Sequence, residues 1–442
     1  MSRKKRLFSP EPIELEITGL YNDGRGTAEH LGKLLLVEGS LPGEKVIAEI
    51  KGKKKKNLVA KTTEVLVASP DRVEPACPNA EICSGCCLHH QSNDAQILAK
   101  QARLQALFAA EEVPEPEQWI EPLLGPKLGY RNKARLGVRY VQKKEKLLVG
   151  FREKNGRYVA ELDSCPVLTP AVGERLLALR ELIGGLDAFE RIAQIEVSAG
   201  DTQTALVVRH LDGLSDADQQ ALIKFGEQHD LHMYLQPGGL NTVHKVWPAD
   251  NIERLSYALP QFNLEMLFHP MDFTQVNAEI NQKMIHQALE WLQPKPQDTV
   301  LDLFCGLGNF TLPIARKVAA VVGVEGSESA VSRADENVKH NQIGNAAFHY
   351  ADLFEPFAEQ PWAKQKYDAL LIDPPRSGAE EVANNLHLID PDKILYVSCN
   401  PTSLARDAKL IANAGYKIKK AGVLDMFPHT AHVESMVLFE RI

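Results

Sequence analysis

A cysteine, a proline-stiffened acidic box and a glutamate near the end of the sequence are the residues best suited to chemistry. Ser398-Cys399-Asn400-Pro401 follows Asp373-Pro374-Pro375-Arg376 by about one strand–helix–strand unit. Paired prolines fix φ and remove amide donors, so the acidic loop is stiff. Cys399 falls at the end of a predicted strand, at the mouth of a parallel sheet. A thiol there suits covalent catalysis beside a bound cofactor, because cysteine is intrinsically very nucleophilic even when little of it is thiolate. The competing reading is a buried, inert thiol. Glu434, in His432-Val433-Glu434-Ser435-Met436-Val437-Leu438, is the candidate base. Strand alternation places it on one face with Met436 and Leu438, where a carboxylate is costly unless partnered or protonated. A strand-end glutamate facing water is the alternative.

The cofactor signal lies upstream. Asp302-Leu303-Phe304-Cys305-Gly306-Leu307-Gly308-Asn309-Phe310-Thr311 follows a strand and opens a helix. Glycines there let the backbone approach a ligand at the carboxyl edge of the sheet. Glu325 ends the next strand, 17 residues after Gly308, where an acid can hold both hydroxyls of a ribose. A dinucleotide fingerprint would place a third glycine where Thr311 stands, and Asp302 would repel phosphate. S-adenosylmethionine, which has a ribose and a sulfonium but no phosphate, fits better. Asp352 and Asp373, after later strands, strengthen that expectation, and Cys305 reads as a packing residue.

These residues need elements to position them. From Phe273 onward a helix over 278–292 leads into apolar runs at 299–304, 318–324, 346–350, 367–372, 393–397, 417–424 and 435–440, most of them alternating with helices. That pattern predicts a parallel α/β sheet with two extra C-terminal strands. Short alternating strands separated by Asn22-Asp23-Gly24, Leu41-Pro42-Gly43 and Lys51-Gly52 predict a small OB-like barrel before Pro70. Between them, a helix over 95–112 precedes mixed strands and helices (one of them over 171–182) in an α+β pattern. The expected domains are therefore 10–68, 69–262 and 263–442, with helix 95–112 packing on the last.

With 442 residues, 44% hydrophobic and 24% charged, the composition is that of an ordinary globular protein. No apolar run approaches the ~20 residues that span a bilayer, and the basic Met1-Ser2-Arg3-Lys4-Lys5-Arg6 start lacks the apolar region of a secretory signal. A cytoplasmic protein is expected. The net charge of −8 hides an asymmetry: residues 1–68 hold 13 Lys/Arg against 9 Asp/Glu. The run Lys51-Gly52-Lys53-Lys54-Lys55-Lys56 suits either phosphate contacts or a solvated turn.

Four of the 7 cysteines call for a metal or cluster. Cys77-x5-Cys83-x2-Cys86 is followed at a distance by Cys165, in Leu162-Asp163-Ser164-Cys165-Pro166. Four thiolates suit zinc or an iron–sulfur cluster, and the spacing slightly favours a cluster. Cys87 is adjacent to Cys86, so either could be the ligand, although the x2 spacing points to Cys86.

The catalytic residues also narrow the acceptor. Arg376 stands where amino-group methyltransferases carry a stacking aromatic residue, and in DNA cytosine-C5 enzymes the cysteine lies inside the box rather than after it. C5 of uracil is too weak a nucleophile to take a methyl group directly. Thiolate addition at C6 makes C5 enolate-like, and after methylation a base must remove the C5 proton.

Taken together, Phe273-Thr274-Gln275-Val276-Asn277, the 302–309 turn, Asp373-Pro374-Pro375-Arg376, Ser398-Cys399-Asn400-Pro401 and His432-Val433-Glu434-Ser435-Met436 resemble the RNA uracil-C5 methyltransferases over nearly the whole chain. The resemblance is to the 23S ribosomal RNA members; the transfer RNA member lacks both the barrel and the cysteine cluster. It implies a C-terminal Rossmann-like S-adenosylmethionine-dependent methyltransferase domain and an N-terminal TRAM barrel that binds RNA. It also implies a 4Fe–4S cluster on Cys77, Cys83, Cys86 and Cys165. Cys399 would be the nucleophile and Glu434 the base, with Gln275, Phe304, Asn309, Glu325, Asp352 and Asp373 contacting S-adenosylmethionine. The substrate would be a uridine in a loop of 23S rRNA, flipped into the pocket, and the enzyme a monomer away from membranes. The alternatives are the same chemistry on transfer RNA, or a non-catalytic RNA-binding iron–sulfur protein. Radical S-adenosylmethionine enzymes use C-x3-C-x2-C, which this sequence does not have.

Overall fold

Apolar side chains at every second position from Ile13 to Val67 have one face to bury, and in the computed structural model they bury it against each other. The structure describes residues 11–442 other than Lys55, Asn155, Arg157 and Asn251. The basic N-terminal run at 3–6 and Lys55 of the lysine run therefore lie outside the described residues. The chain forms two compact units.

The first unit comprises residues 1–99, 152–158 and 427–432. Its sheet runs in the order Ile13–Glu16, Lys45–Lys54, Asn57–Val67, Lys33–Glu38, Gly26–His30, Gly19–Leu20. Leu15, Ile17, Leu35, Val37, Val46, Ala48, Leu58 and Ala60 make its core. Gly52, Lys53 and Lys54 pair with Val59, Leu58 and Asn57 inside the antiparallel strands Lys45–Lys54 and Asn57–Val67, so the turn expected at Lys51-Gly52 is strand and the chain reverses after it. Glu44 is buried yet holds its carboxyl below the usual range. Burial opposes this, but the Arg72 guanidinium and the amides of Leu41 and Ser69 outweigh it. The cysteine-rich stretch has no core of its own and is tied to separate segments. Ser84 N–H donates to the Arg152 carbonyl at 2.8 Å, and the Cys87 and Leu88 amides both donate to the His429 carbonyl at 3.0 Å.

The second unit carries a six-stranded sheet, a hairpin (Leu255–Leu259 with Leu264–Phe268) and an eight-stranded sheet. The strands of the last, in chain order, are β1 (Gln118–Trp119), β2 (Thr299–Leu303), β3 (Ala320–Glu325), β4 (Ala346–Tyr350), β5 (Ala369–Ile372), β6 (Lys393–Ser398), β7 (Tyr416–Leu424) and β8 (Glu434–Arg441). Across the sheet they run β4-β3-β2-β5-β6-β8-β7-β1. β2 to β6 are parallel, whereas β8 is antiparallel to β6 and β7. β2, β5 and β6 are buried almost throughout, as parallel strands covered on both faces by helices must be. The helix Ala278–Leu292 shows the matching stripe, burying Ile280, Met284, Ile285, Ala288 and Leu292.

The helix expected over 95–112 is Asn93–Ala110, and its Phe108 ring lies 5.8 Å from Trp119 on β1. The single helix expected over 171–182 is instead two, Pro170–Gly173 and Leu176–Gly184. The Gly173 carbonyl is taken by the Cys165 amide at 2.8 Å, and a Cβ on Gly173 would sit 2.3 Å from the Cys165 carbonyl oxygen. The chain must therefore bend round that turn. Among the described residues, no helix is long and apolar enough to cross a membrane.

Candidate active site

The strand order fixes where a ligand goes. From β2 the chain steps outward to β3 and β4, then returns to the other side of β2 for β5 and β6. The crevice between the carboxyl ends of β2 and β5 is thus the point where the winding reverses, the place where open α/β sheets bind ligands. The turn after β2 is unusual. Phe304, a bulky residue, has φ of +62°, Gly306 +56° and Gly308 +93°. Positive φ on a non-glycine residue costs free energy and persists only where the surroundings impose it. Around Gly306 there is open space: a Cβ there would meet nothing within 4 Å, whereas one on Gly308 would strike Leu312 at 2.5 Å. One glycine therefore leaves room for a ligand, and the other lets the helix Thr311–Ala315 start close to the sheet.

The crevice is acidic. Gly306 N–H donates to Glu325 Oε2 at 3.1 Å, which fixes the acid at the end of β3 beside the turn. Asp302 is fully buried and accepts the Thr311 hydroxyl at 2.5 Å on Oδ2, while Oδ1 has no hydrogen-bond partner. Burial, assisted by the charges of Asp373 and Glu325, pushes its pKa up to about 8. Burial likewise pushes Asp373 up to about 7. A cationic ligand would favour the ionised forms of these acids, which burial otherwise disfavours, whereas a phosphate would not. Asp352, exposed after β4, accepts the Phe354 amide at 3.0 Å, and the Phe354 ring lies 5.7 Å from that of Phe304. Asn309 makes a reciprocal amide pair with Asn281. Gln275 is partly buried in the segment before the helix Ala278–Leu292.

The other side of the crevice carries the nucleophile and base candidates. β6 and β8 pair through Ser398 and Ser435, so one step further along the register sets Cys399 beside Glu434. Cross-strand neighbours of that kind have Cβ atoms roughly 5 Å apart. Glu434 is only 3% exposed. Burial, with the nearby charge of Asp373, drives its pKa well above the ordinary glutamate value. The Cys399 thiol is pushed up to about 11, by burial first and then by Glu434 and Asp373, with Arg376 opposing. Burial therefore disfavours the charged form of both groups until a cation or a substrate changes their surroundings.

Several residues that the sequence did not single out hold this half together. Asn400 caps the helix Pro401–Asn413 by accepting the Thr402 amide at 3.2 Å, and it donates to the Arg376 carbonyl at 2.7 Å. Asp407, fully buried, accepts the Ala379 amide at 2.7 Å and the Tyr396 hydroxyl at 2.6 Å. Arg406 donates to the Ser377 carbonyl at 3.0 Å. The acidic loop is thus fastened to the helix that follows Cys399. An asparagine directly before a helix-opening proline was a legible cap signal; Asp407 gave none.

The cysteines expected to hold a cluster are divided between the units, with Cys77, Cys83 and Cys86 in the first and Cys165 in the second. Cys83 Sγ accepts the Gly85 amide at 3.3 Å. Burial holds the Cys165 thiol above its usual range, while backbone amides of Leu168 and Val167 donate to its sulfur and oppose that shift. Such N–H donors suit sulfur that carries negative charge. Among the described residues, no group of three or more His, Cys, Asp or Glu side chains is arranged to hold a metal ion.

With the geometry in place, comparisons with known proteins narrow the reading. The model of the family described as tRNA (Uracil-5-)-methyltransferase matches residues 92–442. The chain is 49% identical over 440 residues to a 23S rRNA (uracil(1939)-C(5))-methyltransferase RlmD from Alcanivorax borkumensis, covering 100% of this chain and 98% of that one. It is 51% identical over 445 residues to the protein of the same name from Hahella chejuensis, covering 100% of both. Among solved structures it resembles Pyrococcus abyssi tRNA (uracil-54, C5)-methyltransferase in complex with S-adenosyl-L-homocysteine. That match has a TM-score of 0.75 and 25% identity, and covers 97% of this chain and 100% of the other.

Proposed function

The chain belongs to the tRNA (Uracil-5-)-methyltransferase family, and from that premise we propose that it methylates C5 of a uridine in 23S rRNA, the position named in its relatives being uracil 1939. The observation that carries the proposal is the Ser398–Ser435 pair, which lies one residue before Cys399 on one strand and one residue after Glu434 on the other, together with the charge of Glu434 acting on the Cys399 thiol.

Cys399, having released its proton to solvent, adds as the thiolate to C6 of the flipped uracil, breaking the C5–C6 π bond and leaving the electron pair on C5, conjugated with the C4 carbonyl. S-adenosylmethionine supplies an electrophilic methyl group when bound. The residues that would hold it are Gln275, Phe304, Asn309, Glu325, Asp352 and Asp373. After C5 has gained the methyl group, Glu434 takes the C5 proton. The electron pair of that C–H bond re-forms the C5–C6 double bond and expels the Cys399 sulfur. A cation in the acidic crevice favours the anionic forms of both Cys399 and Glu434, which burial otherwise disfavours.

The sheet over residues 13–67, with its lysine-bearing tip, is in this reading a TRAM barrel that holds RNA through phosphates. Cys77, Cys83, Cys86 and Cys165 are the proposed ligands of a 4Fe–4S cluster. The amide donors to Cys83 and Cys165 support this, and purified protein should then contain about four irons per chain. The enzyme would act as a cytoplasmic monomer.

The deciding experiment uses 23S rRNA tritiated at C5 of uridine. Tritium release that requires S-adenosylmethionine is expected; no release from active preparations would defeat the proposal. Methylation of transfer RNA but not 23S rRNA would instead move the substrate.

A further inference from the structure

Three asparagines and a tyrosine surround the turn that follows β2. Asn309 Oδ1 accepts from the Tyr257 hydroxyl at 2.8 Å and from Asn281 Nδ2 at 3.0 Å, while Asn309 Nδ2 donates to Asn281 Oδ1 at 2.8 Å. Both acceptor positions of that carbonyl oxygen are therefore occupied by the protein. Asn281 belongs to the helix Ala278–Leu292 and is 4% exposed. Tyr257 belongs to the hairpin, on the strand Leu255–Leu259.

A second bridge runs from the same hairpin to the same turn. Asn337, fully buried on the helix Glu328–His340, accepts the Leu267 amide at 2.7 Å on Oδ1. Its Nδ2 donates to the Leu267 carbonyl and to the Leu307 carbonyl, each at 3.1 Å. The hairpin is itself fastened from outside: Asn341 takes the Glu265 amide at 2.9 Å and donates to the Glu265 carbonyl at 2.8 Å, and Gln282 donates to the Ala258 carbonyl at 3.2 Å. The turn these bridges reach holds Phe304 at φ of +62° and Gly308 at +93°, a backbone that needs its surroundings to fix it.

We infer that the hairpin Leu255–Phe268 is a brace that pre-sets the cofactor turn through Tyr257, Asn281 and Asn337, holding the Asn309 amide in its orientation. Tyr257, Asn281 and Asn337 are positioning residues. The cofactor is then met by the backbone of the turn, where the space around Gly306 is open. This rests on the proposed S-adenosylmethionine site and assigns a role to a hairpin otherwise without one.

A double-mutant cycle read by equilibrium binding of S-adenosylmethionine to the full chain tests it, with the melting temperature as folding control. Asn281→Leu should weaken binding by about ten-fold, and the double variant with Asn309→Ala should bind no more weakly than Asn309→Ala alone, since neighbours acting as one unit are not additive. Tyr257→Phe, which keeps the ring, should weaken it by about three-fold and raise KM for the cofactor with little change in kcat. Asn281→Leu with unaltered affinity, or a double variant weaker than Asn309→Ala by a further ten-fold or so, would overturn the brace. If Asn281→Leu fails to fold, unaltered affinity in Tyr257→Phe overturns it by itself. Absence of binding by the wild-type chain would defeat the underlying site instead, a result distinct from both.

Discussion

On the β2–β3 side of the crevice the polar groups mostly have partners: Gly306 meets Glu325, Thr311 meets one oxygen of Asp302, and Asn309 meets Asn281 and Tyr257. On the β5–β6–β8 side the two carboxyls are governed otherwise: burial acts on both Glu434 and Asp373, and the charge of Asp373 adds to it at Glu434. The first arrangement is preorganised, as a binding site should be. The second holds titratable groups where burial disfavours their charge, and in the proposed reaction the arriving reactants would relieve this. Catalytic thiols elsewhere are activated by a lowered pKa; here burial does the opposite, and activation must come with the ligands.

If the two sides divide binding from chemistry, substitutions should separate along the same line. Cys399→Ala should lower methyl transfer by roughly 10⁴-fold or more while leaving S-adenosylmethionine affinity unchanged, measured by turnover and equilibrium binding on one preparation. Turnover close to wild type would remove Cys399 from the reaction. Glu434→Gln should lower turnover by roughly 10²–10⁴-fold and trap the enzyme–RNA adduct, visible as a band that survives denaturing electrophoresis. A variant that turns over slowly with no trapped adduct would show that another group takes the C5 proton.

The pH profile sharpens the contrast. The reactive forms on the chemistry side are anions, and both groups are shifted upward, Cys399 to about 11. The rate at low substrate should therefore climb with pH between 6 and 9, by up to roughly ten-fold per unit while one group limits. A profile that is flat from pH 6 would mean that the thiol is already ionised in the unliganded enzyme.

The sequence made local patterns far more legible than long-range ones. Glycine turns, strand-end acids and a Pro-Pro box are local patterns, so Asp302, Gly306, Glu325 and Asp373 stood out from neighbours in the chain. The Cys399–Glu434 proximity depends on an antiparallel pair 35 residues apart (434 against 399), whereas the sequence offered Glu434 only through strand alternation and the family resemblance. The brace was not legible. Asn281, Asn337 and Tyr257 sit on ordinary amphipathic elements, and their partners lie 28, 30 and 52 residues away along the chain. The hairpin also escaped notice because strand propensity over 255–268 is weakened by Pro260 and Asn263 at its turn.

The smallest expected effect tests whether even the well-partnered side carries stored charge. Asp302 has one oxygen bonded to Thr311 and one with no partner, and its folded pKa of about 8 compares with an ordinary value of 3.8. A group whose folded pKa is raised holds its proton more tightly when native, so its contribution to stability is complete below the unfolded pKa and is lost as pH rises through the folded one. The ligand-free enzyme should thus lose stability between about pH 5 and 8.5 through this residue, and a cationic ligand should restore it. Asp302→Asn cannot ionise, so its melting temperature should fall less over that range, by about 2–4 °C for each kcal/mol removed. The slope is the proper readout, because the new amide nitrogen occupies a position with no acceptor and lowers stability at every pH alike. Parallel slopes for the two proteins would mean that Asp302 is ionised at neutral pH in the unliganded enzyme. The binding side of the crevice would then carry none of the strain that marks the reacting side.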